Sequence, residues 1–255
     1  MTTHLLSQLT LPDRYERLEK HLGPDIANLL IAPSGSNVDA LRSLANEVLT
    51  RDEGVLVPLA GETGVGKTTF AMNASQWLPS LYGPTCQYDG ALSFDGLVAA
   101  TKDFVKTLPA NNRRIIPINI DHRENAPPSD AELAALKRFL RTNAGNIPSI
   151  VFWPETKAEI AEALSKRYVD IAGATSIPLP LVCEGPARET WQDTAKHTLA
   201  LSNQVNNLEE LGVDPNDYSP SEFHTLGGFL RRISHDFNAR VRALQAELEK
   251  PVSMF

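Results

Sequence analysis

A short apolar segment that runs straight into a glycine-rich loop constrains the fold of this chain more than any other feature. Residues 54–69 read GVLVPLAGETGVGKTT and fit the pattern G-x-x-x-x-G-K-[ST]. Several backbone N–H groups can meet one phosphate only through tight turns without Cβ obstruction, and glycine permits such turns. Lys67 supplies a mobile charge for the β- and γ-phosphates, and the Thr68 hydroxyl suits Mg²⁺. The residues expected to surround the phosphates are Gly61, Glu62, Thr63, Gly64, Val65, Gly66, Lys67, Thr68 and Thr69.

Apolar strand-like segments alternate with amphipathic helical segments from residue 54 to residue 185. Parallel strands need crossover connections of about this length, so the alternation predicts an α/β fold with a five-stranded parallel sheet sandwiched by helices. A ligand of such a sheet is expected at the carboxyl ends of its strands. The strands are predicted at 54–60, 85–88, 114–120, 149–153 and 178–183, and the helices at 67–78, 94–108, 129–143 and 155–167.

The segments on either side of this alternation have a different pattern. Residues 1–36 read as an N-terminal extension, and a helix near 37–50 leads into the core at 37–185. Residues 186–255 contain only helical patterns and predict a C-terminal helical lid or appendage. Its last helix is expected to begin at Ser219-Pro220-Ser221-Glu222, because serine caps, proline fits the first position and glutamate can close a capping box. The apolar stripe of that helix is interpreted as a core seam, that is, the face by which the helix packs into the core of its own domain.

Charge and composition narrow the classes of partner and compartment. The net charge of −7 and the pI of about 5.4 repel polyanions, so direct nucleic-acid binding is not indicated. Cys86 and Cys183 lie far apart in apolar segments, which predicts buried thiols in a reducing compartment. Neither a signal-peptide pattern nor an apolar run approaching the roughly 20 residues of a membrane span is found. We expect a cytoplasmic protein that does not enter a membrane.

A second chemical feature is an apolar strand that ends in an acidic residue. Residues 113–124 read RRIIPINIDHRE, so that Asp121 directly follows the strand. Mg²⁺ keeps several waters and takes only one or two protein carboxylates. Asp121 is therefore the candidate to hold Mg²⁺ together with Thr68.

The phosphate loop, the five predicted strands and the extra strand between the loop helix and the Asp121 strand make residues 37–185 resemble P-loop NTPases of the branch that includes the AAA+ and STAND ATPases. The resemblance implies ATP and Mg²⁺ as cofactors, and a switch or motor module that hydrolyses ATP within a larger assembly. It also implies that Lys67 and Asp121 act in catalysis, and that partner proteins or further copies complete the machine. Guanine specificity is not expected, because the chain has no Asn-Lys-x-Asp sequence.

The resemblance also points to a departure from the family pattern. In those families a glutamate next to the strand-end aspartate polarises the attacking water, whereas His122 follows Asp121 in this chain. Two other glutamates are candidates for that role. Glu124 lies three residues beyond Asp121, and Glu155 follows the fourth strand. Thr156, next to Glu155, falls where the family places a residue that senses the γ-phosphate.

The residues alone are also compatible with two other functions. Small-molecule kinases also begin with such a loop and many use an aspartate after the second strand, where this chain has Asp89. Alternatively, the missing Asp-Glu pair is what a regulatory module that binds a nucleotide without turnover would show. The ATPase interpretation is preferred, because a strand that ends in an aspartate, here Asp121, is more typical of these ATPases than of small-molecule kinases.

Overall fold

The structure is a computed structural model that describes residues 11–12, 14–23, 26, 29, 33–109, 114–120, 123, 126–142, 146–203 and 212–248. The chain divides into two compact units, one of residues 32–185 and one that combines residues 1–31 with residues 186–255. The sequence assigned the N-terminal extension to a segment of its own, and those predicted domain boundaries stay predictions.

The larger unit holds the sheet and the helices that alternate with it. Its strands are β1 (Val55–Ala60), β2 (Cys86–Tyr88), β3 (Ile116–Ile120), β4 (Ser149–Glu155) and β5 (Leu181–Val182). Its helices are α2 (Gly35–Arg51), α3 (Lys67–Met72), α4 (Ala74–Trp77), α5 (Phe94–Lys106), α6 (Asp130–Arg141) and α7 (Ala158–Ala172).

The five strands form one parallel sheet in the order β2-β3-β4-β1-β5. Every residue of β1, β3 and β4 is buried, as expected where helices cover a parallel sheet and its strands are largely apolar. The predicted α/β fold with a five-stranded parallel sheet flanked by helices is confirmed. Because β1 lies between β4 and β5, the loop that follows β1 opens at the carboxyl ends of these two neighbours.

Several element boundaries differ from the prediction; the helix predicted at 155–167, for example, spans Ala158–Ala172. Hydrogen bonding explains two other differences. The strand predicted at 178–183 is reduced to Leu181–Val182, because Pro178 and Pro180 have no N–H to donate to a ladder. The helix predicted at 67–78 is interrupted at Asn73, whose side-chain Nδ2 donates to the Thr69 carbonyl oxygen at 2.8 Å. An asparagine amide that bonds locally competes with the helix ladder, and a new short helix begins after it.

The phosphate-loop helix α3 packs on β3 and β4 through aromatic rings. The Phe70 ring meets the Phe152 ring edge-on, with centroids 5.9 Å apart, and the Trp77 ring lies 5.6 Å from Phe70. Phe152 is fully buried in the middle of β4. These contacts fix the face of the sheet on which α3 lies.

The smaller unit contains helices and no strand in its described residues. Its core contains Trp191, Leu199, Phe229 and Phe237, and this confirms that the apolar stripe of the last helix is a core seam. No helix in the part of the chain that the structure describes is both long and apolar enough to cross a membrane. The helices of this unit are α1 (Tyr15–Leu22), α8 (Trp191–Asn203) and α9 (Leu226–Leu248), with short 3₁₀ turns at Arg188–Thr190, Pro215–Asp217 and Pro220–Glu222.

The predicted start of the last helix at Ser219 is wrong. Pro220–Glu222 form only one 3₁₀ turn, and Phe223 then returns to an extended conformation with φ −122° and ψ 145°. The helix begins after Thr225, whose Oγ1 accepts a hydrogen bond from the Gly228 N–H at 3.1 Å. A threonine cap therefore opens this helix in place of the expected serine capping box.

Candidate nucleotide-binding site

The loop between β1 and α3 has a backbone that depends on glycine. Gly64 has φ +87° and Gly66 has φ +105°, values that residues with a side chain rarely adopt. At Gly61 the constraint is space, because a Cβ there would come within 2.8 Å of Val65 Cγ1 and 3.2 Å of the Cys183 carbonyl oxygen. The loop is thus folded into the compact turn that its sequence predicts, directly before the first residue of α3.

Lys67 opens α3 and turns its side chain back into this loop. The residue is only 5 % exposed, and its Nζ donates to the carbonyl oxygen of Gly61 at 2.7 Å and to that of Glu62 at 3.3 Å. It lies 3.4 Å from the Thr156 hydroxyl oxygen. The ammonium therefore lies inside the loop, next to these carbonyl and hydroxyl oxygens. An anion that enters the loop meets this charge together with the N-terminus of a helix.

Glu155 and Thr156 lie next to this ammonium because β4 is the neighbour of β1. Ala60 and Glu155 are register partners, and the Gly61 N–H donates to the Glu155 carbonyl oxygen at 3.3 Å. The Glu155 side chain is fully buried, and its Oε1 accepts hydrogen bonds from the N–H groups of Thr156 at 2.7 Å and Lys157 at 3.0 Å. This carboxylate therefore orders the turn that leads from β4 to α7.

Cys183 forms another wall of the loop. It follows β5, and its N–H donates to the Ala60 carbonyl oxygen at 2.8 Å. Burial raises the pKa of its thiol to about 12, and the nearby charge of Lys67 acts in the opposite direction. The thiol is therefore protonated at neutral pH and contributes packing rather than charge to the site. Both cysteines are free and buried, as the sequence predicted.

The remaining site residues from the sequence divide between the described and the undescribed parts of the chain. Thr68 and Thr69 lie in the first turn of α3 and are partly exposed. Asp121 and Glu124 lie outside the described residues, as does His122, and their roles stay predictions. Glu62 and Thr63 are exposed at the tip of the loop.

The part of the chain that the structure describes contains no group of three or more histidine, cysteine, aspartate and glutamate side chains that would hold a metal ion. Mg²⁺ does not require such a group, because one hydroxyl and one or two carboxylates supplement its waters and the phosphate oxygens. The partly exposed Thr68 at the start of α3 fits this type of donor set. Mg²⁺ binding by Thr68 and Asp121 stays a prediction.

Asp89 lies far from the phosphate loop across the sheet. It follows β2, and β3 and β4 separate β2 from β1. Neighbouring strands are about 4.8 Å apart, so the ends of β1 and β2 are separated by about 14 Å. This position does not favour Asp89 as a base at the γ-phosphate.

Two arginines of the larger unit form ion pairs with acidic residues at the start of α6. Arg123 pairs with Glu132 at 2.8 Å, and Arg167 pairs with Asp130 at 2.7 Å. The pKa of the Glu132 carboxyl is lowered, first by the hydrogen bond from the Ser129 N–H and then by Arg123. These pairs organise the start of α6.

Comparison of the sequence with known proteins finds no match, whereas comparison of the structure finds a similar fold. No protein-family model matches the sequence, and no curated protein matches it significantly. The fold is similar to that of the ORC2 protein of Aeropyrum pernix, whose structure was solved as ADPNP–ADP complexes. The two chains are 12 % identical with a TM-score of 0.52, and the match covers 91 % of this chain and 72 % of the other. At this identity the likeness is one of fold.

Proposed function

We propose that this protein binds ATP with Mg²⁺ in the loop from Gly61 to Thr69 and works as an AAA+- or STAND-like ATPase module. One observation carries the proposal: two glycines with positive φ shape the loop, and Lys67 Nζ lies inside it, 2.7 Å from the Gly61 carbonyl oxygen. The fold likeness to a protein that was solved with ADPNP and ADP supports the same ligand class.

The residues have distinct roles in this proposal. The loop N–H groups and Lys67 hold the β- and γ-phosphates, and Thr68 with Asp121 holds the cation, which neutralises phosphate charge when bound. Thr156, 3.4 Å from Lys67 Nζ, contacts the γ-phosphate and distinguishes ATP from ADP. Because Thr156 leads into α7, occupancy of the loop changes the start of that helix.

Replacement of Lys67 by alanine tests nucleotide binding. A charge-assisted hydrogen bond contributes about 1.5–3 kcal/mol, so we expect ATP to bind about 10- to 150-fold more weakly by calorimetry. Lys106→Ala is the matched control, because Lys106 is exposed and pairs only at the surface with Asp103 at 2.7 Å. An unchanged dissociation constant in Lys67→Ala, with both variants folded, would contradict the assignment of the loop.

Hydrolysis is tested separately, by measuring the release of phosphate from ATP by the purified protein. We propose that Glu124 or Glu155 polarises the attacking water. Glu155→Gln retains an acceptor for the N–H groups of Thr156 and Lys157, so the variant is expected to keep its fold. The variant, Glu124→Gln or Glu155→Gln, that binds ATP normally but releases no phosphate identifies the carboxylate. If both variants release phosphate at the rate of the unmodified protein, neither glutamate has this role.

A regulatory module that binds ATP without turnover is the second candidate. It is favoured by His122, which stands where the related ATPases have a glutamate. Tight ATP binding without phosphate release would establish it, and release without an added acceptor would exclude it. ADP formation that depends on an added small-molecule acceptor, without release of phosphate, would instead support the kinase.

Assembly with protein partners or further copies of the chain is also part of the proposal. The measurement is molar mass by light scattering with and without ATP and Mg²⁺. A nucleotide-dependent increase in mass supports self-association, and an unchanged monomer mass means that any assembly requires another protein.

A further inference from the structure

Asn119 is a polar side chain in the middle of an apolar layer. It lies on β3 between Ile118 and Ile120 and is fully buried. Neither its Nδ2 nor its Oδ1 has a hydrogen-bond partner. Two other buried asparagines in the described chain are satisfied: Asn37 donates to the Val182 carbonyl oxygen at 2.9 Å and Asn73 to that of Thr69 at 2.8 Å. A buried amide without a partner is costly, so its presence requires an explanation.

The register of the sheet places Asn119 under the phosphate-loop helix. Asn119 is the register partner of Phe152, and partners in a parallel pair point to the same face. Phe152 meets the ring of Phe70, which belongs to α3. The Asn119 amide is therefore in the layer between the sheet and α3.

The level of Asn119 along the strand corresponds to the first turn of α3. Thr85, just before Cys86, donates its hydroxyl to the Ala71 carbonyl oxygen at 2.9 Å, and Cys86 is the register partner of Ile118. Thr85 is therefore level with the residue two positions before Asn119. Two strand residues advance about 6.6 Å, which equals about four residues of helix. Counting back from Ala71 against the strand direction reaches Lys67, the first residue of α3.

We propose that Asn119 is a positioning residue for the phosphate site, an inference that rests on the proposed nucleotide binding. The Phe70–Phe152 contact is apolar and sets no exact orientation of the helix, whereas an amide bond is directional. When phosphates fill the loop, the first turn of α3 settles into a position in which the Asn119 amide gains a hydrogen bond. The binding position of Lys67 and Thr68 is stabilised by that bond, and so is the bound nucleotide.

The test compares stability and affinity in one variant, because the proposal moves them in opposite directions. Asn119→Leu replaces an unpartnered amide by an apolar side chain of similar size, so Tm without nucleotide is expected to rise by about 3 °C. The dissociation constant for ATP, measured by calorimetry, is expected to rise about tenfold, or about 1.4 kcal/mol. A side chain with only a structural role would not separate the two quantities.

Thr85→Val is the matched control in the same layer. Its hydroxyl is already satisfied by Ala71 on α3, so the variant is expected to lower Tm and leave the dissociation constant unchanged. A lower Tm in Asn119→Leu, or a dissociation constant equal to that of the unmodified protein, overturns the role of Asn119 while the proposed function stands. If the unmodified protein binds no ATP, the proposed function fails first and the positioning role fails with it.

Discussion

The conformation of the phosphate loop is tested most directly by replacing Gly66 with alanine. Gly66 has φ +105°, and a Cβ added there would meet no atom within 4 Å. The cost of the substitution is therefore entirely one of backbone conformation, about 1–3 kcal/mol for a residue with a side chain in a sparsely populated region. Alanine also restricts the unfolded chain, which offsets about 0.4–1 kcal/mol.

The net expectation for Gly66→Ala is a loss of about 1–2 kcal/mol in the free energy of unfolding. For a chain of this size the loss corresponds to a decrease in Tm of about 2–8 °C. Thermal and urea unfolding, followed by circular dichroism, measure both quantities. ATP binding should weaken as well, because the same residue shapes the loop that meets the phosphates.

Gly35→Ala is the matched control for this measurement. Gly35 opens α2, its φ is not positive, and a Cβ there also meets no atom within 4 Å. Alanine in a helix is favoured over glycine, so this variant should be neutral or more stable by up to about 1 kcal/mol. If Gly66→Ala is as stable as Gly35→Ala, position 66 does not have a positive φ. The loop then lacks the backbone conformation on which the proposed phosphate site depends.

Two further predictions concern titratable groups. The pKa of Glu132 is lowered in the folded protein, first by the Ser129 N–H and then by Arg123, so its stabilisation is present above the ordinary carboxyl pKa and is lost as the pH falls through the lowered one. Glu132→Gln should therefore lower the urea midpoint at pH 7, and the difference from the unmodified protein should vanish in strong acid; a constant difference would refute the linkage. Burial raises the pKa of Cys86 to about 11 and that of Cys183 to about 12. Iodoacetamide at pH 8 should label neither thiol in the folded protein and both in urea, and labelling of the folded protein would show that they are not buried.

The sequence predicted the conformation of the glycine-rich loop well, because each of the requirements of that conformation is local. A positive φ requires glycine at positions 64 and 66, and the chain has glycine at both. The alternation of strands and helices could be predicted equally well, since buried parallel strands are nearly continuous apolar segments. These features need no knowledge of distant parts of the chain.

Other features depend on contacts that are remote in sequence or on competition between nearby signals. The approach of Lys67 to Thr156 follows from the pairing of β1 with β4, which residue patterns do not specify. Asn119 lies in an apolar strand, and the sequence alone does not show that its amide is buried. Ser219 has a stronger capping signal than Thr225, yet the extended Phe223 separates it from the helix.

The carboxylate of Glu155 connects the glycine-rich loop with the start of α7. It is bonded to the N–H groups of Thr156 and Lys157, and Thr156 also lies within reach of Lys67 Nζ. An anion that draws the ammonium away from Thr156 alters the same short turn that α7 starts from. Amide hydrogen exchange at Thr156 and Lys157 would then change when an anion binds Lys67, and the change would reach the start of the fifteen-residue helix α7, which packs on β1.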